Sequence, residues 1–417
     1  MKKNRVYIVA IISKMLTVSM SLFTAALINR ALGVELKGEY AYIVNFESIL
    51  VVLFSFGLGQ TYSSYHKKYG DKYLGFFVFL SILHFAICLI LFLISLILKN
   101  VNLSLTLLIT SFATLRTNLL YFAAIEDIKK RDILNVFYKI IYSSLVLFCF
   151  ILFKKNLIIM LILLVIDDLV ICFGTFKAFN LFKFLKNKNI EDKTFIKKLY
   201  RLALTTTLML LMMSLNYNID VLLLKKFSSA YSVGIYSVGI QLANMVWLIP
   251  DAFKDVLFHK NSKKDSVEDI LFSIKFNIYF NIIIIIGFIF LGKPFIIFIY
   301  GKEYVQSYII SIILFIGCIS MVIYKMIHPI YISNGKQKIV LYILIFSVLL
   351  NIILNIIFIP KYDIIGAAVS SVFSYTLCSL IFIIIFSKDY NVSFWDFFII
   401  RKSELKKLKV GKKNVNS

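Results

Sequence analysis

Long apolar runs alternate with short polar ones almost from end to end of this chain. Residues 281–300, NIIIIIGFIFLGKPFIIFIY, are representative. Crossing a bilayer's hydrocarbon takes about 20 apolar residues of helix. Lipid leaves no partner for open backbone groups, so each run predicts an α-helix. The pattern places spans near 6–28, 39–58, 74–98, 102–124, 132–153 and 157–179, then near 199–224, 231–250, 269–292, 306–328, 338–359 and 364–387. The expected fold is an all-α integral membrane protein of about 12 helices.

The basic stretch KFLKNKNIEDKTFIKK (183–198) divides those spans six and six. It predicts an N-lobe over 1–182, a cytoplasmic linker over 183–198, a C-lobe over 199–388 and a basic cytoplasmic tail over 389–417. The halves share a local pattern. Arg30, Gly38 and Tyr40 match Lys226, Gly234 and Tyr236 at a constant offset of 196. An even number of spans per half keeps both copies in one orientation, as in parallel repeats related by an axis along the membrane normal.

Composition agrees with the pattern. Of 417 residues 60% are hydrophobic, and the mean hydropathy is +0.88. No stretch suits a soluble domain. The net charge of +24 could suggest nucleic acid, but the basic residues are scattered between apolar spans, so no nucleic-acid partner is expected. They instead favour one side by about three to one, which places both termini in the cytoplasm. The opening MKKNR before an apolar run is like a signal peptide; the spans that follow make a retained first helix the better reading. All five cysteines (Cys88, Cys149, Cys172, Cys318, Cys378) fall inside spans without paired spacing, which argues against disulfides and zinc. No glycine-rich loop precedes a Lys-Ser or Lys-Thr pair, so ATP hydrolysis has no support. No outer loop is long enough for a catalytic domain.

Ionisable groups inside the spans carry the functional argument. Each costs about 2.5–3.5 kcal/mol at mid-bilayer on insertion scales. Lys14 lies roughly 12 Å into the first span, with Thr17, Ser21 and Thr24 continuing its face. Glu47 lies at similar depth in the second span. Antiparallel neighbours could join Lys14 to Glu47, as a structural pair or as a switchable one. Arg116 is near the middle of the fourth span, off the face of Thr110, Thr114, Thr117 and Tyr121; a carboxylate on another helix or a substrate could receive it. Asp167 and Asp168 are central in the sixth. Burial and a like neighbour both disfavour the anion, so at least one is expected to hold a proton. Lys139 shares a face with Asn135 and Tyr142. Lys275 and Lys325 are expected to snorkel to the interface. Asp220, one turn after Asn216, reads as an interfacial acid, and Arg30 marks the first outer turn. The cations Lys14, Arg116 and Lys139 suit an anionic headgroup. The acids would tune that field or carry a coupling ion, proton or sodium; no other cofactor is expected. His84 and His328 are isolated, so packing is a better reading than metal ligation. The tail RKSELKKLKVGKK (401–413) is expected on anionic lipid headgroups, with Trp395 as an interfacial anchor.

The stretch NIILNIIFIPKYDIIGAAVSSVFSY (351–375) carries two spaced asparagines, Asn351 and Asn355. Ile359-Pro360 follows, then a short turn, then Gly366-Ala367-Ala368 opening the last helix. This resembles the bacterial polysaccharide repeat-unit flippases of the Wzx type, within the multidrug/oligosaccharidyl-lipid/polysaccharide exporter superfamily. VGIYSVGIQLANMVWLIP (233–250) and LINRALGVELKGEYAYIV (27–44) are similar to that family's eighth helix and first outer turn. Family members often carry glycine where this chain has Asp363. The resemblance implies an alternating-access transporter, with two six-helix lobes around a cavity. It implies an undecaprenyl-pyrophosphate-linked glycan as passenger, crossing the bacterial cytoplasmic membrane for O antigen, capsule or exopolysaccharide. Membrane lipids, a polymerase and a chain-length regulator of the same pathway would be its partners. Rival readings are a multidrug or cation antiporter of the same superfamily, a membrane glycan polymerase, an acyltransferase, and a noncatalytic scaffold. A polymerase of this pathway would show a large outer loop. An acyltransferase would need a histidine with an acid at the membrane surface, for which His66 and Asp71 are the loop pair to test.

Overall fold

The computed structural model describes residues 2–186, 193–261 and 267–399. Regular structure among them is entirely helical. The chain divides into two compact units, Met1–Lys225 and Lys226–Ser417.

In the first unit, α1 (Lys2–Ser55) is interrupted at Gly33, whose φ of 71° and ψ of 176° are non-helical. Positive φ costs glycine nothing, so the chain reverses there. Then follow α2 (Leu58–Tyr69), α3 (Leu74–Ile97), α4 (Val101–Glu126), α5 (Ile128–Leu152), α6 (Leu157–Ala178), α7 (Leu181–Lys186) and α8 (Lys193–Phe227). The turns into α4, α5 and α6 are fixed by Asn100, Asp127 and Asn156. Each side chain accepts from a backbone N–H in the first helical turn, at Leu103, Lys130 and Ile159. Such caps satisfy donors that the helix leaves open. α4 packs against α1, α3 and α6. One apolar cluster (Tyr62, Phe77, Leu119, Phe122, Leu199) fills one end of the unit. A second (Ile28, Tyr40, Ile43, Ile109, Val146, Met160) fills the other.

The helix read as the seventh span groups with this first unit. Phe195 stacks on Tyr73 with ring centroids 4.7 Å apart, Tyr200 lies 5.5 Å from Phe56, and Lys225 pairs with Glu39. Charge places the sequence boundary in the linker 183–198; packing places it after α8.

In the second unit, α9 (Ala230–Val246) and α10 (Leu248–Asn261) meet at a 42° bend, and together pass the length and hydropathy test for one span. Next come α11 (Val267–Ile299), α12 (Ser307–Ser333) and α13 (Gln337–Tyr390). α13 is broken at Asp363, with φ 49° and ψ −129°. Its two arms run antiparallel. Ser347 Oγ donates to the Ser374 carbonyl at 3.0 Å, and Asn351 Nδ2 reaches Ser374 Oγ at 3.2 Å. The break falls at the residue where glycine is common among family members. Asp363 holds it because its carboxylate accepts from Ser228 Oγ at 2.5 Å and Ser232 Oγ at 2.7 Å.

Among the described residues, eight helical stretches are long and apolar enough to cross a membrane, nine with the bent pair. The stretch Met15–Ile97 makes three passes once divided at Gly33 and at the 3-10 turn Gly70–Tyr73. Gln337–Tyr390 makes two, divided at Asp363. The twelve expected passes are thereby accounted for.

Candidate functional site

Five ionisable side chains from four helices of the first unit gather around α4. Arg116 Nη1 lies 3.1 Å from Asp168 Oδ1 on α6. Lys139 Nζ, from α5, is 3.7 Å from Asp167 Oδ2 and sits over the Tyr142 ring, 5.1 Å from its centroid. Glu47, from the second arm of α1, is buried within electrostatic reach of both Arg116 and Asp168. Tyr40 and Tyr142 face the two aspartates. Beside this network Thr24 and Ser143 share a hydrogen bond of 2.7 Å, so the polar stripe of the first span meets α5.

The sequence places these groups at mid-span, and the fold brings them together. The pairing differs in one respect. Arg116 and Lys139 are expectations for a cationic cavity, yet each lies against an aspartate. The four-helix crossing puts Asp167 and Asp168, successive on α6, against α5 and α4 respectively. Two cations thus face three carboxyls among the described side chains, and the network is balanced toward acid rather than base. The Lys14 side chain lies outside the described residues. Arg30 is exposed at the end of the first arm of α1.

In the second unit the snorkelling expectations are corrected. Lys325 is 5% exposed. Its Nζ lies 2.9 Å from Asp251 Oδ1 and 4.4 Å from the centre of the Trp247 ring, while Lys254 reaches the same carboxylate at 3.1 Å. The bend between α9 and α10 carries Trp247 and Asp251 onto α12, which gives Lys325 a closer partner than water. Lys275 is 2% exposed, in line with the buried Asn277 and Asn281, so it too stays inside. Asp220, on α8 of the first unit, is 1% exposed beside the buried Asn216. The tail 401–413 lies outside the described residues.

One cleft was missed by the sequence reading. Ser64, Tyr65, Lys68 and Tyr69 of α2 and Phe195 and Lys198 of α8 line a cavity of about 330 Å³ at one end of the first unit. Two ammonium groups, a hydroxyl and aromatic walls suit an anionic group on a sugar or lipid. The signal lay in the run SSYHKKY (63–69), whose basic and aromatic residues alternate at the membrane edge.

A bundle of apolar helices, with buried carboxyls paired to cations within the spans, is the architecture of a multi-pass membrane protein. Comparisons with known proteins agree. The model of the family described as "Polysaccharide biosynthesis protein" matches residues 4–250, and the chain belongs to that family. No curated protein matches the chain significantly in sequence. Among solved structures, it is similar to the lipid II flippase MurJ in an inward closed conformation. The TM-score there is 0.68 at 19% identity, over 94% of this chain and 89% of that one. It is also similar to an inward-facing multidrug resistance MATE family transporter of the MOP superfamily, with TM-score 0.64 and 14% identity, over 92% and 97% of the two chains. A MOP superfamily transporter from Pyrococcus furiosus, reported to have a binding pocket of reversed polarity, gives 0.61 and 14%, over 91% and 95%. At such identities the likeness establishes the fold.

Proposed function

We propose that this protein is a flippase. It moves an undecaprenyl-pyrophosphate-linked oligosaccharide repeat unit from the cytoplasmic to the outer face of a bacterial cytoplasmic membrane. The observation that carries the reading is a buried, mixed-charge network inside a fold whose family serves polysaccharide biosynthesis. The similar structure named a lipid II flippase makes a lipid-linked passenger the natural class. The barrier to such a passenger is dragging a hydrated, charged headgroup through hydrocarbon. No covalent step is needed; polar side chains that replace water along the path lower that barrier.

The roles divide by charge. The cleft with Lys68 and Lys198 supplies positive charge for the pyrophosphate at the membrane edge. The inner network, one carboxyl in excess among the described side chains, supplies a place for a coupling ion, proton or sodium, at Glu47, Asp167 or Asp168. Ion binding there would change the network's charge by one and bias the protein between its two access states. O antigen, capsule and exopolysaccharide share this transport step.

The acid excess also favours a second reading, a cation antiporter acting on drugs. Deletion of the gene in its host separates the two. The flippase reading expects loss of the surface polymer and accumulation of lipid-linked repeat units, both restored by the wild-type gene. Intact polymer with heightened sensitivity to cationic drugs would replace it with the antiporter.

A further inference from the structure

The inner network and the basic cleft leave one polar cluster unused. His66 lies on the last turn of α2, where the backbone reverses at Gly70 with φ 59°. The reversal carries Asp71, in the 3-10 turn Gly70–Tyr73, back toward the imidazole. His66 Nδ1 is 3.3 Å from Asp71 Oδ1 and 3.7 Å from Oε1 of Glu126, the last residue of α4. One donor atom from each of the three residues can be chosen so that all lie within 4.8 Å of one another. Tyr62, one turn before His66 and fully buried, donates its hydroxyl proton to Glu126 at 2.6 Å and lies 3.2 Å from the same imidazole nitrogen.

Two simpler uses of these residues fit less well. A catalytic dyad would commit Nδ1 to one carboxylate and free Nε2 for chemistry. Here Nδ1 is shared among three oxygens, none closer than 3.2 Å. An ordinary ion pair would close one contact to hydrogen-bond length, about 2.7–2.9 Å. The donors instead converge with slack between them. Tetrahedral zinc, with bonds near 2.0–2.1 Å, holds its ligand atoms about 3.4 Å apart. The observed separations of 3.3 and 3.7 Å bracket that spacing. One imidazole and two carboxylates suit zinc among divalent ions. Tyr62 does what outer partners of metal ligands do, orienting a ligating carboxylate by a hydrogen bond.

We propose that His66, Asp71 and Glu126 form a binding site for a divalent transition metal of zinc-like preference. Water or an anionic oxygen takes the fourth position. The ligands come from α2, the turn after it and the end of α4, so the ion staples these ends together beside the basic cleft. Coordination by two carboxylates and a neutral imidazole leaves a single open position, and Asp71 is the exposed member of the three.

The test uses tag-free, full-length protein in nanodiscs, stripped by a chelator and then dialysed against zinc chloride or manganese chloride. The proposal expects one zinc per chain at saturation, tighter binding of zinc than of manganese, and a higher unfolding temperature with zinc. His66→Ala and Glu126→Gln should abolish stoichiometric binding. Asp71→Asn, on an exposed turn that tolerates change, should bind zinc at least about tenfold more weakly with the metal-free unfolding temperature unchanged. Tyr62→Phe keeps all three ligands and should still weaken binding by about tenfold. No bound zinc in the wild type, or equal zinc affinity in the wild type and in Asp71→Asn, overturns the site. These readouts are independent of glycan export, so their failure leaves the flippase proposal standing.

Discussion

Replacing Arg116 by alanine should be far more damaging than replacing Asp168 by asparagine, although the two are partners in one ion pair. The pair is held at 3.1 Å, with Asp168 3% exposed and the Arg116 side chain 31% exposed. Removing one member of a buried pair costs about 3–5 kcal/mol, because the other charge is left without compensation. The cost depends on what remains. Arg116→Ala leaves Lys139 alone against Glu47, Asp167 and Asp168, so a like-charged cluster stays in a low-dielectric interior. Asp168→Asn leaves two cations against two carboxyls, and Arg116 still has Glu47 within electrostatic reach. The first substitution should therefore cost more than the second, with the about 3–5 kcal/mol of a fully buried pair as its upper bound. Unfolding of purified protein in detergent, followed by denaturant titration, measures both. The double variant Arg116→Met/Asp168→Leu completes the test. Apolar groups of similar volume can replace a buried pair at little cost, so this variant should recover most of the stability lost in Arg116→Ala. Export should be impaired in it, since one carboxyl of the proposed ion site is gone. Equal losses for the two single variants would refute the charge count. Normal export by the double variant would reduce the pair to a structural brace.

Glu47→Gln removes the acid excess and should leave the protein folded but export insensitive to an imposed proton or sodium gradient, read by transport of lipid-linked glycan into inverted vesicles. Lys68→Ala with Lys198→Ala empties the basic cleft of charge; it should raise the glycan concentration needed for half-maximal export by about tenfold, while stability stays within about 0.5 kcal/mol, as for surface substitutions. Lys325→Met exchanges a buried ammonium for a thioether but leaves Asp251 to Lys254 alone, and should lower stability by about 1–3 kcal/mol in denaturant titration. Asp363→Gly relieves a backbone cost of about 1–3 kcal/mol yet gives up two serine hydrogen bonds to a charged group, each about 1.5–3 kcal/mol; net destabilisation is expected, and Asp363→Ala, which loses the bonds without relieving the strain, should be the less stable of the two.

The passes were legible in the sequence because lipid reduces the problem to length and hydropathy. Gly33 and the turn at Asp363 were legible as interruptions for the same reason. What each buried charge touches was not. Arg116 and Asp168 lie 52 positions apart, and only the crossing of α4 and α6 decides that they meet. Lys325 shows the limit most clearly. A lysine one turn from Pro329 near a helix end ordinarily reaches water, and nothing local reveals that a bend 78 residues earlier delivers Trp247 to cover it. His66 and Asp71 stood out as a loop pair, but Glu126, the residue that turns a pair into a three-donor cluster, arrives from the far end of α4.

Counting charges by span therefore does not reveal how they pair, even when every residue is placed at the right depth. A cation at mid-bilayer is expensive alone, so a sequence that keeps one must supply an acid from elsewhere in the fold. That acid appears in the sequence as a separate oddity, here Asp167 and Asp168 against Lys139 and Arg116. Once paired, the cations attract little, and the surplus decides what the site can bind. In the inner network the surplus is one carboxyl among the described side chains, which suits a small cation or a proton. The cleft walled by Lys68 and Lys198 has two ammonium groups and no carboxylate in its lining, which selects an anion. A carrier of a pyrophosphate headgroup driven by an ion gradient needs both preferences, at separate places, so that the driving ion and the passenger do not compete for the same charges.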